Sequence, residues 1–87
     1  MRLVILVYDV NAKRTNKVMK ACRKYLIHVQ RSVFEGKITE AKLEKLKKEI
    51  KKICHEDEDS VMIYKFDSLK YSTKEVIGLI MANDNIL

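Results

Sequence analysis

Residues Leu3–Val10, LVILVYDV, constrain this chain more than any other stretch. A near-continuous run of aliphatic, β-branched and aromatic residues at this length reads as a central strand covered on both faces. Such a strand needs neighbours at both edges and a layer over each face, and the rest of the chain has to supply them. Asp9 interrupts the run. A buried, unpaired carboxylate is costly, so Asp9 is paired, protonated, placed at the strand's wet end, or bound to a cation.

The remaining pattern supplies one layer. Asn11–Asn16 is polar, with Thr15 or Asn16 as the expected helix cap. Over Lys17–Tyr25, helical spacing sets Val18, Cys22, Tyr25 and then Leu26 toward a sheet. Ile27–Ile38 is strand-like: Ile27, Val29 and Val33 share one parity, His28, Gln30, Ser32 and Phe34 the other. Polar Arg31–Ser32 is expected to split it in two, and Gly36 to make a bulge or bend before the next helix. Thr39–Cys54 is the clearest element, with Leu43, Leu46, Ile50 and Ile53 as an apolar seam. His55–Asp59, HEDED, reads as a solvated loop. Ser60–Phe66 returns as a strand, Asp67–Thr73 is polar, and a short last strand is expected at Glu75–Ile80.

The order β-α-β(β)-α-β-β predicts an α/β (α+β) fold, a ferredoxin-like sandwich with two helices on one face of an antiparallel sheet. At 87 residues the chain is expected to form one domain over residues 1–80, followed by a tail at 81–87. The second sheet face has no cover of its own. A homodimer through that face, or the last strand lent to a partner's sheet, would provide it.

Charge is unevenly placed. The chain carries +6 overall, yet residues 1–38 hold nine Lys/Arg against Asp9 and Glu35 (+7), and residues 39–87 hold nine Lys against ten acids (−1). A one-sided basic surface suits phosphates; it also suits a merely solubilising face. Lys13, Lys17, Lys20 and Lys24 recur at helical spacing and line one stripe. Cys22 and Cys54 lack CxxC spacing and read as reduced thiols of a cytoplasmic protein. No signal peptide or membrane span is expected.

Asp9 has two readings. It could hold Mg²⁺, which is often bound by one or two carboxylates plus substrate phosphates, with a two-fold axis supplying the second acid. Alternatively it caps the following turn or pairs with Arg31 or Arg14. His28 could act as a general base or simply pack. Tyr8 and Phe34 could stack bases or fill the core.

Two stretches together, LVYDV and VQRSVFEG (Val29–Gly36), with a basic helix between them, resemble the small CRISPR-associated nuclease family of the adaptation module, the partner of the CRISPR integrase in spacer acquisition and antiviral defence. The resemblance runs over nearly the whole chain. It implies a ferredoxin-like homodimer whose last strand crosses to the partner sheet, and Asp9 as the metal-binding and catalytic acid. It further implies Mg²⁺-dependent endonuclease action on single-stranded RNA or double-stranded DNA in some members, and a DNA-binding scaffold in others. The family's basic helix-start residues fall on Arg14 and Lys17. An Arg that some members place before the VQ pair is here His28, with Arg31 following Gln30. The expected nucleic-acid contacts are Arg14, Lys17, Lys20, Lys24 and Arg31, and the expected partners are a second copy, integrase subunits, and DNA or RNA, with no membrane. A toxin-like ribonuclease of the virulence-associated D type is the alternative with the same fold and an early Asp.

Overall fold

The computed structural model describes residues 1–68 and 71–78. The elements run β1 (Arg2–Asp9), a 3-10 turn (Ala12–Arg14), α1 (Thr15–Arg23), β2 (Ile27–Gln30), β3 (Val33–Ile38), α2 (Glu40–Ile53), β4 (Ser60–Ser68) and β5 (Tyr71–Gly78). Among the described residues the strands form one antiparallel sheet in the order β2-β3-β1-β4-β5. β1 is central, as its composition predicts, and α1 and α2 cover one face.

Strand alternation sorts β1 cleanly. Val4, Leu6 and Tyr8 are buried toward the helices, while Leu3, Ile5, Val7 and Asp9 point the other way. The helix side is closed by Val18, Ala21, Cys22 and Leu26 from the first helical region and by Leu43, Leu46 and Ile50 from α2. Leu43, Leu46 and Ile50 are wholly excluded from solvent, and each contributes about 2 kcal/mol of burial. Thr39 caps α2, its hydroxyl accepting from the Lys42 amide at 3.2 Å. Glu40 at the start and Lys51 and Lys52 at the end suit the helix dipole.

The centre of the open face is apolar, flanked by Glu35 and Lys37 from β3 and Lys74 from β5. Cross-strand pairs there are Leu3 with Phe66, Ile5 with Tyr64, Val7 with Met62, and Met62 with Val76. These side chains are only partly covered, and Leu3 is 40% exposed. Among the described residues no helix is long and apolar enough to cross a membrane.

Several local expectations change. Neither Thr15 nor Asn16 caps α1: Arg14 holds its N-cap position without a side-chain cap hydrogen bond, and Asn11 caps the preceding 3-10 turn, its Oδ1 accepting from the Lys13 amide at 3.0 Å. The split at Arg31–Ser32 is present, with Arg31 at φ 32°. Gly36 makes no bend; it sits within β3 opposite Val4, where a Cβ would crowd Leu26 Cδ2 at 3.3 Å. The irregularity lies instead between His28 and Gln30. The last strand begins at Tyr71 rather than Glu75 and pairs with β4 of its own chain. Residues 79–80 of the expected strand and the 81–87 tail lie outside the described residues.

Candidate functional site

Asp9 ends β1 on the open face, exposed, opposite Ser60 at the start of β4. Among the described residues neither an ion pair nor a hydrogen bond engages its carboxylate. The two pairings open to it in sequence are not made: Arg14 is bound elsewhere, and Arg31 stands in the β2–β3 turn.

The acid that does pair is Asp59. Its side chain is completely buried, so the solvated-loop reading of His55–Asp59 fails at its last residue. Asp59 Oδ1 accepts from the Asn11 amide at 2.8 Å and from Arg14 Nη2 at 3.1 Å; Oδ2 accepts from Arg14 Nε at 2.6 Å and from the His55 amide at 2.8 Å. The Arg14 guanidinium, foremost, and the two backbone amides hold the Asp59 carboxyl well below the usual carboxylate range, outweighing burial. Asp59 in turn raises the Arg14 pKa further, helped by Glu58. A buried charge is tolerable only when saturated in this way. Gly78, at φ 93°, closes the assembly from β5: a Cβ there would fall 2.1 Å from the Asp59 carbonyl oxygen.

Two acids therefore lie at one end of the sheet in opposite states. Asp59 is saturated by neighbours, and Asp9 is available to solvent. No three His, Cys, Asp or Glu side chains gather to cage a metal among the described residues. Asp9 alone fits one half of a site for a hard, hydrated cation such as Mg²⁺, which accepts one or two carboxylates, and does not fit a closed zinc site.

The basic residues are spread. Arg14, 12% exposed, has Nε and Nη2 taken up by Asp59 and Glu58. Lys24 pairs with Glu49, which also accepts from the Tyr25 hydroxyl at 3.0 Å; these partners draw the Glu49 carboxyl downward and raise the Lys24 ammonium. Lys17 and Lys20 are exposed, with no carboxylate partner among the described residues. With Lys24, Glu49 and Ile53 they border a shallow groove between α1 and α2. Because only the short 3-10 turn separates α1 from the end of β1, this stripe starts at the Asp9 end of the molecule and runs away over the helix layer. Arg31 is exposed in the turn beyond β2.

His28 and Asp9 are not brought together. The His28 ring stacks on Phe34 (centroids 4.6 Å, 18°) on the helix side of the sheet, and its Nε2 lies 2.5 Å from the Arg31 carbonyl oxygen, to which it donates. Tyr8 and Phe34 are core residues, 6.2 Å apart, and burial raises the Tyr8 phenol pKa. The residue that sequence reasoning missed is Asp59. Its only signal was position, immediately before the apolar strand SVMIYKF, and neighbouring acids hid it.

The chain matches the family model for CRISPR associated protein Cas2 over residues 1–74. It is similar to the CRISPR-associated endoribonuclease Cas2 of Dictyoglomus turgidum, 54% identical over 87% of this chain and 87% of that protein. The protein of the same name from Thermotoga maritima is 46% identical, with 97% of each chain covered. A crystal structure of Cas2 superposes with a TM-score of 0.73 at 42% identity, over 93% of this chain and 91% of that one.

Proposed function

The chain belongs to the CRISPR-associated Cas2 family, a component of the adaptation module, and from that membership we propose that it works as a homodimer that binds nucleic acid beside the CRISPR integrase, with Asp9 of each copy forming a Mg²⁺-dependent endonuclease site. The family match displaces the toxin-like alternative. The observation that carries the reading is the contrast between the two acids: Asp59 is consumed inside the chain, while Asp9 is exposed at the rim of a sheet face that no helix covers among the described residues.

Two copies meeting through Leu3, Ile5, Val7, Met62, Tyr64 and Phe66 would bury that face. The two Asp9 carboxylates would then approach one another, and a cation relieves such like-charge crowding. Mg²⁺ held there supplies Lewis acidity and an activated water for phosphodiester hydrolysis. The chain's own residues do the rest: Asp9 supplies the oxygen ligands, and Lys17, Lys20 and Lys24, with Arg31, hold the phosphate backbone. Arg14 contributes less to phosphate binding, since Nε and Nη2 already serve Asp59 and Glu58.

One observation favours a second reading, a scaffold that binds duplex DNA without cutting it. No cluster of metal-ligating side chains surrounds Asp9 among the described residues, and the candidate base His28 is on the other face. Cleavage of labelled single-stranded RNA and duplex DNA, with Mg²⁺ or chelator, by wild type and Asp9→Asn separates the two. Metal-dependent cutting that is lost in Asp9→Asn, with binding retained, supports the nuclease. Equal cutting by both proteins removes Asp9 from the chemistry, and salt-sensitive binding with no cutting by either leaves the scaffold.

A further inference from the structure

We infer that Asp59 is the positioning residue of the Asp9 site: its buried carboxylate holds the chain that leaves β1 and so sets where the Asp9 carboxylate meets a cation. This rests on the reading of Asp9 as the cation-holding acid.

Burial and saturation alone would fit any structural acid. The placement around Asp9 is what distinguishes this one. Asn11, whose amide Asp59 Oδ1 grips at 2.8 Å, is two residues after Asp9. Ser60, which follows Asp59, is the cross-strand partner of Asp9. Asp59 therefore secures the backbone on the downstream side of Asp9 through its side chain and on the neighbouring strand through its own main chain. Arg14, bound twice by the same carboxylate, anchors the far end of the Asn11–Arg14 turn, and His55 ties in the loop from α2. Gly78 lets β5 lie close to the Asp59 main chain, where a Cβ would fall 2.1 Å from the carbonyl oxygen.

Asp9 has no comparable tie among the described residues, so its side chain takes its position from this backbone. A site with one carboxylate per chain has no other ligand to compensate for a displaced one. Groups that orient metal ligands from outside commonly affect metal affinity about 10–100-fold, and a loosened support shell degrades a site without abolishing it.

The test is Mn²⁺ binding to the intact dimer, read by loss of the free-ion paramagnetic resonance signal, with no nucleic acid present. Wild type is compared with Asp9→Asn, Asp59→Asn, Asn11→Pro and Asn11→Ala. Asn11 has φ −55°, which proline adopts, so Asn11→Pro fits the backbone angle while replacing the N–H that Asp59 grips by a ring methylene. Asn11→Ala keeps the amide and loses only the side-chain cap. Asp9→Asn should abolish binding, Asp59→Asn and Asn11→Pro should weaken it about tenfold or more, and Asn11→Ala should bind as wild type does. Wild-type affinity in both Asp59→Asn and Asn11→Pro, with binding lost in Asp9→Asn, overturns the positioning role and leaves the Asp9 reading standing. Wild-type affinity in Asp9→Asn overturns both. If Asp59→Asn is unfolded at the assay temperature, the Asn11→Pro and Asn11→Ala pair decides alone: a weakened proline variant beside an unchanged alanine variant supports the role, and equal affinities refute it.

Discussion

Replacing Lys17 and Lys20 together by Gln should flatten the salt dependence of duplex binding. Both ammonium groups are exposed and without carboxylate partners among the described residues, so each is free to meet a phosphate. The proposed dimer presents four such groups. With a slope of about 0.9 per neutralised phosphate, the log–log dependence of affinity on salt falls by about 3.6 if all four make contact. Between 50 and 200 mM salt that difference amounts to roughly a hundredfold: wild type should lose about that much more affinity than the variant. Lys24→Gln should do less, because the Lys24 ammonium is already engaged by Glu49 at 2.5 Å and must leave it to reach a phosphate. Gln keeps helix propensity close to that of Lys, so the fold is spared. The assay is duplex binding by anisotropy across a salt series, with far-ultraviolet circular dichroism as the control. An unchanged slope in the double variant, with wild type still salt-sensitive, would show that the stripe is a solvated face and that phosphates are held elsewhere.

The buried Asp59 carboxyl lies well below its ordinary value of 3.8 in the folded protein, so its stabilisation is present above about pH 4 and is lost as pH falls toward the native value. Asp59→Asn should cost about 3 kcal/mol at neutral pH, on the order of 15 °C in melting temperature, and the gap from wild type should narrow in acid; a gap constant with pH would refute the ion-pair account. Val7→Asp places a charge on the open sheet face opposite Met62. It should weaken self-association by about a hundredfold or more in light scattering while leaving the circular dichroism intact, and an unchanged mass would show that copies meet elsewhere.

The parts of the fold that were legible in sequence are those with a strong period. β1, the α2 seam and the interruption at Arg31–Ser32 are all found close to where the pattern puts them. The full extent of β5 was not legible, since Asp67–Thr73 carries little apolar signal, and Tyr71, Ser72 and Thr73 are set by pairing with Ser68, Phe66 and Lys65 rather than by their own alternation. Gly36 shows a related limit. Its small size serves a close approach to Leu26 across the fold, which a local reading cannot distinguish from a bend. Asp9 stood out because it interrupts an apolar run. Asp59 did not, because its neighbours Glu56, Asp57 and Glu58 are exposed acids and only tertiary contacts to Asn11 and Arg14 set it apart.

The contacts that enclose the Asp59 carboxylate span long stretches of chain: 48 residues to Asn11 and 45 to Arg14. Central β1 likewise waits for β4, which starts at Ser60, to complete its second edge. Such non-local pairing is slow to form because loop-closure entropy comes before the reward. A nascent chain that has emerged only as far as α2 already displays Asp9 and the whole basic helix, yet has neither the β4 half of the open face nor the acid that closes the loop. Synthesis order thus delays the site. The carboxylate gains its setting only after Asp59 and β4 have emerged, and a product truncated before them would carry the charge without the geometry.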